Sequence, residues 1–449
     1  MRSLLLLLPT LFAACSIGGR EPADGSLSPV LDGAVCDAAS PSLDSGGPSA
    51  PDAGNEPRED AGARPGRDAS AAYDAGSLAE VIAAMPANSW RQLPNTPMSA
   101  VCPKTLNHYV CDAVTNAWSG GAFDPDGDQL FILGGGHADS FVNCLFGFDL
   151  ATGHWTRWTE LPAGLDHLPD DGSAVPPVFV DVRAETCGLY PKVATLQVPA
   201  EWLTASGYLQ PARCDEPSIA AQLDDQQPRS AHTYGNLAFA EGRLFILGAI
   251  GLYQSGQCSS PRVMGYDLAA RRWIRAGDNT AISYGTSAVD GRGHVLYIGN
   301  RTVSDLDPVA GTWKPLPNAG DADGYYAAAA VDTQRNKLVL TKDGKTLQTW
   351  SLADGAHQAV DTALATALPE AVGFEYVADR DRFFAWLGGT ELAVLDADTL
   401  TWTTVDGGGD DPGPRKGSGG TYGRFRYSPK QKVFVLVNDA NQDVYLYKP

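Results

Sequence analysis

The sequence lacks the features of a membrane-spanning or a nucleic-acid-binding protein. No uninterrupted apolar run in the chain reaches the roughly 18 residues of a transmembrane helix. Positive charge is scarce, because 33 lysines and arginines stand against 53 acidic residues and leave a net charge of -20 over 449 residues. A surface that binds duplex nucleic acid needs a positive field, so nucleic acid is not expected as a partner.

Several motifs that identify enzymes are also missing. The chain has no phosphate-binding Gly-Lys-Ser/Thr loop and no Gly-x-Ser-x-Gly elbow. Without a Cys-x-x-Cys pair, a metal site built on cysteine is not expected. The run from Asp124 to Asp128 looks like a calcium loop, but Gly135 stands where an EF-hand has glutamate, so we interpret it as a hairpin turn. No cofactor is predicted, although a metal ion bound by histidine side chains is an alternative.

The N-terminal segment is predicted to be a targeting signal rather than part of the fold. Arg2 gives it a positive start, and the apolar stretch that follows is too short to cross a bilayer. The segment ends in Leu11-Phe-Ala-Ala-Cys15, which resembles the lipobox of bacterial lipoproteins, with phenylalanine at a position more usually occupied by leucine. The resemblance implies that residues 1–14 are a signal peptide and that Cys15 becomes the lipidated first residue. An ordinary secretory signal is the alternative.

The next segment, 15–77, is predicted to be a disordered tether. It is rich in Ser, Ala, Gly, Pro and Asp and nearly free of aromatic residues, so it cannot bury enough apolar surface to offset its ordering entropy. Ordered structure is expected from about Leu78, and the domain would span 78–449.

The lipobox resemblance implies that the protein lies outside the cytoplasm. It would be anchored by lipid at the bacterial outer membrane or cell surface, with no other membrane contact.

Blade-like units recur from residue 117 to the C-terminus. In the clearest pair, the strands Leu130–Gly134 and Leu244–Gly248 are each followed by an aromatic-Asp-Leu strand and then by a strand with an early tryptophan. Weaker copies of the same apolar strand lie at 295–299, 337–340, 382–386 and 432–436. A repeat of about 40 to 50 residues with four short strands predicts a β-propeller, here an all-β fold of six blades.

The last unit lacks its tryptophan strand, and a segment of that character, Asn88–Leu93, precedes the first unit. We therefore expect the N-terminal strand to complete the sixth blade and remove the open sheet edges. A linker role for Trp90 is the alternative. With these landmarks, residues 84–449 resemble kelch-type propellers, the architecture also found in galactose oxidase. The copper radical chemistry of galactose oxidase is not expected, because its set of two His, two Tyr and a Cys cross-linked to Tyr cannot be mapped here.

In such blades, the loop into the inner strand and the loop between the second and third strands lie on the same face. An insertion at 161–227 falls on that face between the first two blades, and long insertions often form binding loops or lids. Six cysteines lie in or beside these loops and support export. We favour the pairings 102–111, 187–214 and 144–258 among Cys102, Cys111, Cys144, Cys187, Cys214 and Cys258.

Two histidines are candidates for chemistry on this face. His137 follows three glycines, whose backbone freedom would aim His137 and Asp139 over the mouth of the channel. His232 lies where the chain enters the inner strand of the second blade. The two rings could meet above the axis as an acid–base pair or as metal ligands. The alternative is that each histidine caps its own loop by hydrogen bonds.

Basic and aromatic side chains add to the same face. Strand alternation would place Tyr422, Arg424 and Arg426 on one side. An arginine cluster in an acidic protein favours an anionic ligand, such as a uronate carboxylate, unless the arginines pair with neighbouring Asp and Glu. Four aromatic residues could stack against sugars, unless they only pack between the blades: Trp118, Tyr284, Tyr325 and Tyr326. The predicted ligand-binding residues are Asp139, Asn143, Arg301, Arg415, Lys416 and Tyr325.

The first functional hypothesis is a monomeric lipoprotein propeller that binds a glycan or another anionic extracellular ligand at its axial mouth. The alternative is an enzyme. The favoured activity is cleavage of a polysaccharide by β-elimination, because the face looks like that of propeller-type uronate lyases. In that hypothesis, Arg229 or Arg424 would neutralise the carboxylate, His137 or His232 would be the base, and Tyr234 or Tyr422 the acid. The third hypothesis is a protein-interaction scaffold.

Overall fold

The computed structural model describes most of the C-terminal part of the chain. The described residues are 68–69, 77–102, 108–135, 144–159, 232–247, 250–253, 256–259, 262–278, 284–299, 301–320, 322–364, 366–416 and 420–449. They belong to the second of two units into which the chain divides, residues 63–449. The predicted signal peptide, most of the predicted tether and the insertion at 161–227 lie outside this set. Within it, no helix has the length and apolar character needed to cross a membrane.

Short elements precede the first blade. They are β1 (Asp68–Ala69), α1 (Ser77–Ala84), β2 (Ser89–Leu93), a 3-10 turn at Met98–Val101 and α2 (His108–Asn116). In α1, Leu78 and Ile82 are spaced one helical turn apart and are both buried in the core between the first and last blades. α1 thus lies where the sequence predicted the start of ordered structure.

Six small antiparallel sheets follow along the chain, and each is one blade of a six-bladed β-propeller. The strands of the first three blades are β3 (Gly120–Asp124), β4 (Gln129–Leu133), β5 (Phe146–Asp149), β6 (His154–Arg157), β7 (Leu237–Ala240), β8 (Arg243–Ile246), β9 (Ile250–Tyr253), β10 (Gly256–Ser259), β11 (Arg262–Asp267), β12 (Arg272–Asp278), β13 (Thr286–Val289), β14 (Val295–Gly299), β15 (Thr302–Asp307) and β16 (Thr312–Pro315). Strands β9 and β10 form a separate hairpin between the second and third strands of blade 2.

The strands of the last three blades are β17 (Ala328–Asp332), β18 (Lys337–Thr341), β19 (Thr346–Ser351), β20 (His357–Asp361), β21 (Gly373–Val377), β22 (Arg382–Gly388), β23 (Glu391–Asp396), β24 (Trp402–Asp406), β25 (Gly408–Gly409), β26 (Phe425–Ser428), β27 (Val433–Leu436) and β28 (Val444–Lys448). The first strand of every blade contacts the first strands of both neighbouring blades. These six inner strands therefore form the ring around the axis, as the repeat predicted.

The hydrophobic core is divided among the six interfaces between neighbouring blades. Strand β4 shows why its sequence is continuously apolar. Leu130 and Ile132 pack towards blade 6, whereas Phe131 and Leu133 pack towards blade 2. Because successive side chains of a strand point to opposite sides, a strand buried on both faces needs an apolar residue at every position.

The N-terminal strand closes the ring, as the sequence predicted. β2 pairs antiparallel with β28, with Trp90 opposite Tyr447, and it forms the fourth strand of blade 6. β25 adds a short parallel pairing on the outer edge of β2. Within the segment predicted as tether, β1 pairs in a similar way with β6, the outer strand of blade 1. Both additions cover backbone groups at sheet edges that would otherwise have no partner in the sheet.

Local turn chemistry also agrees with the sequence. The predicted hairpin turn from Asp124 to Asp128 is confirmed, because Asp124 pairs with Gln129 and its Oδ1 accepts the Asp126 backbone N–H at 2.9 Å. The predicted disulfide between Cys102 and Cys111 is also present and joins the 3-10 turn to α2. Cys144 is buried. The other predicted pairings involve Cys187, Cys214 and the side chain of Cys258, which lie outside the described residues, so they stay predictions.

The turn that leads into the inner strand of blade 6 approaches the inner strand of blade 1 so closely that glycine is required. A Cβ atom at Gly423 would overlap the carbonyl oxygen of Gly121. We expect Gly423→Ala to lower the free energy of unfolding by about 1–3 kcal/mol, because the backbones would have to move apart. Chemical denaturation checks this, with Gly291→Ala as the control, since the nearest atoms to a Cβ there are 3.8 Å away. Equal stability of the two variants would contradict the close approach.

Candidate functional site

One position repeats in the loops that lead into the six inner strands. It holds an aromatic residue in five blades and alanine in blade 5: Trp118, Tyr234, Tyr284, Tyr326, Ala371 and Tyr422. All of these except Tyr284 have a left-handed backbone, with φ between 47° and 55°. This conformation is uncommon for bulky residues, so its recurrence at one position marks a feature of the whole propeller.

Backbone hydrogen bonds explain how this conformation is held. The N–H of Tyr234 donates to the carbonyl of Trp118 at 2.7 Å, which is the equivalent position in the preceding blade. In the same way, Ala371 donates to Tyr326 at 2.8 Å, and Tyr422 donates to Ala371 at 2.9 Å. The bonds link successive blades at the mouth of the channel and satisfy backbone groups that belong to no strand.

The side chains at this position converge across the ring. The Tyr234 ring lies edge-on to the rings of Tyr284, Tyr422 and Tyr326, with centroid distances of 5.1, 5.9 and 6.4 Å. Contacts of one residue with blades 3, 4 and 6 are possible only near the axis. We term these rings, together with the adjacent Tyr325, the aromatic cup, which consists of Trp118, Tyr234, Tyr284, Tyr325, Tyr326 and Tyr422.

The cup has a buried floor and a partly exposed wall. Tyr234 and Tyr422 are only 6% and 5% exposed, whereas the other four rings are half-buried. Trp118 and Tyr326 are joined by a hydrogen bond of 3.0 Å from the indole Nε1 to the phenol oxygen. The six rings form one aromatic cluster that is partly exposed, and exposed aromatic rings are common in ligand sites.

Two phenols of the cup, those of Tyr422 and Tyr325, are held in the neutral form. Burial raises the pKa of Tyr422 above its usual range, and nearby tyrosines add to the effect. Burial also raises the pKa of Tyr325, together with its hydrogen bond to Tyr326. Near neutral pH these groups can therefore stack and exchange hydrogen bonds, but they do not carry charge.

The predicted histidine pair is only half described. His232 is 2% exposed, and its ring lies 4.7 Å from the Trp118 ring and 5.8 Å from the Tyr234 ring. It thus supports the cup from behind and presents little surface to solvent. His137 lies outside the described residues, as do Asp139, Asn143 and Arg229, so their predicted positions over the mouth stay predictions.

The expected strand alternation from Tyr422 to Arg426 is wrong. Tyr422–Arg424 form a 3-10 turn, and β26 begins only at Phe425. Arg426 instead faces a second cavity of about 460 Å³, which is lined by inner strands and by turns of the opposite face, and its Nη1 binds Glu375 Oε2 at 2.7 Å. A turn does not alternate its side chains as a strand does, so the arginines separate.

Arg424 is the most deeply buried of the predicted site residues that the structure describes, at 0% exposure. Its Nε donates to the Val437 carbonyl at 3.1 Å, its Nη1 to the Ser119 carbonyl, and its Nη2 to the Gly420 carbonyl at 3.2 Å. Burial lowers its pKa to about 10, which still leaves it charged at neutral pH. In this arrangement Arg424 connects blade 6 to blade 1 through backbone oxygens.

Arg415 lies at the edge of the cup beside blade 5. Its Nη2 donates to the carbonyls of Glu370 at 2.6 Å and Ala371 at 3.2 Å, and its Nε donates to Thr421 Oγ1 at 3.1 Å. The side chain is half-buried, and burial lowers its pKa to about 10. The guanidinium is therefore a partly desolvated cation next to the aromatic surface.

The remaining predicted residues are more exposed. The Lys416 side chain is exposed, while its backbone N–H donates to Asn438 Oδ1 at 2.9 Å. Arg301 is exposed and has a left-handed backbone with φ 54°. The Lys342 ammonium lies 5.8 Å from the centroid of the Tyr325 ring. Within the described ranges, no group of three or more His, Cys, Asp or Glu side chains could hold a metal ion.

Several cup residues are predicted from the sequence, but not the repeated position that they share. Trp118, Tyr284, Tyr325 and Tyr326 are predicted as stacking residues, whereas Tyr234 and Tyr422 are assigned to proton transfer only. A sequence pattern could have identified the repeated position. In five of the six blades an aromatic residue is followed by a small one, two or three positions before the inner strand, as in Tyr234-Gly and Tyr422-Gly. No protein-family model matches this chain, and no curated protein matches its sequence. Function is therefore inferred from the geometry of this mouth.

Proposed function

We propose that this protein binds an extracellular glycan at its axial mouth, with sugar rings stacked on the aromatic cup. The observation that carries the proposal is the convergence of loops from five blades, which brings four half-buried aromatic rings around a floor of Tyr234 and Tyr422. Rigid rings that keep one face accessible bind apolar sugar faces at little entropic cost, and neutral phenols add hydrogen bonds to sugar hydroxyls.

The proposal includes a place for the protein outside the cytoplasm. We infer a kelch-type propeller on a lipoprotein signal, anchored through Cys15 at the outer membrane or cell surface and acting as a monomer. The Cys102–Cys111 disulfide supports export, because such bonds persist in oxidising compartments. The lipobox resemblance supports the anchor, and several acyl chains on one cysteine would hold the protein stably.

Among the candidate catalytic residues that the structure describes, Arg424, Tyr422 and His232 support binding rather than β-elimination. A lyase of the kind considered above needs an arginine that reaches the substrate carboxylate and a tyrosine or histidine that exchanges a proton. Arg424 is fully buried with its three donor nitrogens on backbone carbonyls, and burial raises the pKa of Tyr422. His232 is packed behind Trp118. These positions suit structural support of the cup better than proton transfer.

The first test is a binding measurement on the purified domain with a panel of neutral and uronate polysaccharides. The expected result is saturable binding without formation of the unsaturated product, whose ultraviolet absorbance would reveal β-elimination. Absence of binding to every polysaccharide in the panel would overturn the proposal and favour a protein-interaction scaffold. Appearance of the unsaturated product would instead show that the protein cleaves the polysaccharide by β-elimination.

Variants at Tyr284 test whether the cup is the binding surface. Tyr284→Ala is expected to weaken binding of a panel glycan by up to about tenfold, because one stacking ring is lost. Tyr284→Phe keeps the ring and should retain most of the affinity. Calorimetric titration measures both, and Trp313→Ala is the control, since this half-buried tryptophan lies on an outer strand of the same blade. Equal affinity in the alanine variant and the wild type would place the glycan elsewhere.

A further inference from the structure

The aromatic ring of the cup has a gap at blade 5. Ala371 takes the position that holds an aromatic residue in the other blades, and it lies between the equivalent residues Tyr326 and Tyr422 in the backbone hydrogen bonds of the mouth. Ala371 packs in the same cluster as the cup tyrosines. The gap is a break in the series of aromatic side chains and not an open space, because Ala371 is 1% exposed and Arg415 lies against its carbonyl.

Arg415 stands at this gap and contacts only neutral oxygens among the described residues. Several other described arginines pair with carboxylates: Arg335 binds Asp381 at 2.6 Å, and Arg292 binds Asp290. Arg415 has no carboxylate within ion-pair distance across the described ranges, and its three hydrogen bonds reach two carbonyls and one hydroxyl. A partly desolvated cation without a counter-charge is costly, and an anion placed beside it would offset that cost.

A second hydrogen-bond donor lies beside the same gap. The Tyr422 hydroxyl is buried and has no hydrogen-bond partner among the residues that the structure describes. Its residue is joined to Ala371 through the backbone, and its phenol interacts electrostatically with Arg415. A buried hydroxyl that makes no hydrogen bond is unfavourable, so a ligand oxygen at this place would satisfy it.

We infer that the glycan bound in the aromatic cup carries a carboxylate, as a hexuronic acid does, and that Arg415 and the Tyr422 hydroxyl bind this carboxylate at the blade 5 side of the cup. The inference rests on the proposed glycan binding and names the substrate class. A planar carboxylate has two oxygens, which match one guanidinium donor and one phenol donor. The sugar ring that bears it would stack on the adjacent tyrosines of the wall.

The neighbouring charges are compatible with an acidic ligand. Asp323 is already paired with Lys342, with 3.1 Å between the Oδ2 and Nζ atoms. Glu370 offers its carbonyl, not its carboxylate, to Arg415, and its side chain is exposed. Lys416 adds an exposed positive charge next to Arg415 in sequence.

The test compares oligosaccharides released from uronate polysaccharides with the same oligosaccharides after reduction of their carboxyl groups to alcohols. Wild-type protein is expected to bind the acidic oligosaccharide at least about tenfold more tightly than the reduced one, because only the acidic form accepts a charge-assisted hydrogen bond. Arg415→Gln should remove this preference while binding of the reduced form stays near the wild-type value. Tyr422→Phe should reduce the preference by a smaller factor, because only one donor is lost.

Controls separate a lost contact from a lost fold or a lost charge. Arg382→Gln removes an exposed arginine at the opposite end of blade 5 and should leave both affinities unchanged. Arg415→Lys keeps the charge but not the fork of donors and should bind the acidic form with intermediate affinity. Retained binding of the reduced form in Arg415→Gln would show that the mouth is intact.

Two outcomes overturn the inference in distinguishable ways. Equal affinity of the wild type for acidic and reduced oligosaccharides, or an unchanged preference in Arg415→Gln, would refute carboxylate recognition and leave glycan binding in place. Failure of the wild type to bind any acidic or neutral glycan would instead refute the proposed function on which the inference rests.

Discussion

Replacing Trp90 by alanine is expected to lower the free energy of unfolding by about 3–5 kcal/mol, the cost of removing a large aromatic side chain from a core. Trp90 is 2% exposed and lies between blades 5 and 6. Its ring centroid is 5.0 Å from that of Tyr447 and 6.3 Å from that of Trp386. Its indole Nε1 also donates to the Thr390 carbonyl at 3.1 Å, and without it that carbonyl would keep only the Gly407 N–H as a donor.

The size of this effect follows from the position of β2 in the ring. The strand is held by pairing with β28 and by the Trp90 side chain, and its loss would expose the edge of blade 6. Guanidinium denaturation of both variants measures the effect. The control is Arg91→Ala on the same strand, because the Arg91 side chain is 54% exposed and its ion pair with Asp410 is long, at 3.8 Å. A stability loss no larger than that of the control would mean that β2 does not close the propeller.

Replacing Arg424 by leucine is expected to destabilise the protein by about 3 kcal/mol or more, because three buried carbonyls lose their donor. The guanidinium joins residues that lie far apart in sequence, since Arg424 and Ser119 are separated by 305 positions. Leucine fills part of the volume but donates nothing, so the Val437 and Gly420 carbonyls would also be left without this partner.

Two comparisons show whether the hydrogen bonds of Arg424 cause this loss. Arg424→Lys keeps a positive charge, but the lysine ammonium lacks the planar fork of guanidinium donors and cannot reach all three carbonyls. This variant should therefore be nearly as unstable as the leucine variant. Arg382→Leu removes an exposed arginine and should change the free energy of unfolding little. If Arg424→Leu unfolds at the wild-type denaturant concentration, the guanidinium is not a structural support and is available for a ligand.

The repeat and the closure of the ring could be predicted from sequence because both are encoded locally. Continuous apolar runs predict strands that are buried on both faces, as at Leu130–Gly134 and Leu244–Gly248. The turn at Asp124 is fixed by a hydrogen bond between residues only two positions apart. The missing last strand and the spare Trp90 segment made closure the only arrangement without open edges in the sixth blade. Each of these features depends on strand periodicity or on short turns, which the order of residues fixes.

The site could be predicted only in part. Trp118, Tyr284 and Tyr326 were selected as stacking residues because they stand beside inner strands, and the structure places them in one cup. Tyr422 and Arg424 were interpreted as members of a strand, whereas the chain makes a 3-10 turn there. The left-handed backbone at Tyr422, with φ 48°, depends on a hydrogen bond to another blade, which no local pattern reveals.

The sequence by itself therefore determined the architecture: six repeated sheets with apolar strands, joined by polar turns and closed by the first strand of the domain. Only the tertiary structure decided which side chains meet at the mouth, that Arg424 is enclosed by backbone carbonyls, and that Arg415 contacts no carboxylate in the part of the chain described. The physical reason is the range of the interactions. Strand and turn preferences act between residues close in sequence, whereas the mouth is assembled from loops of different blades whose positions depend on the packing of the entire ring.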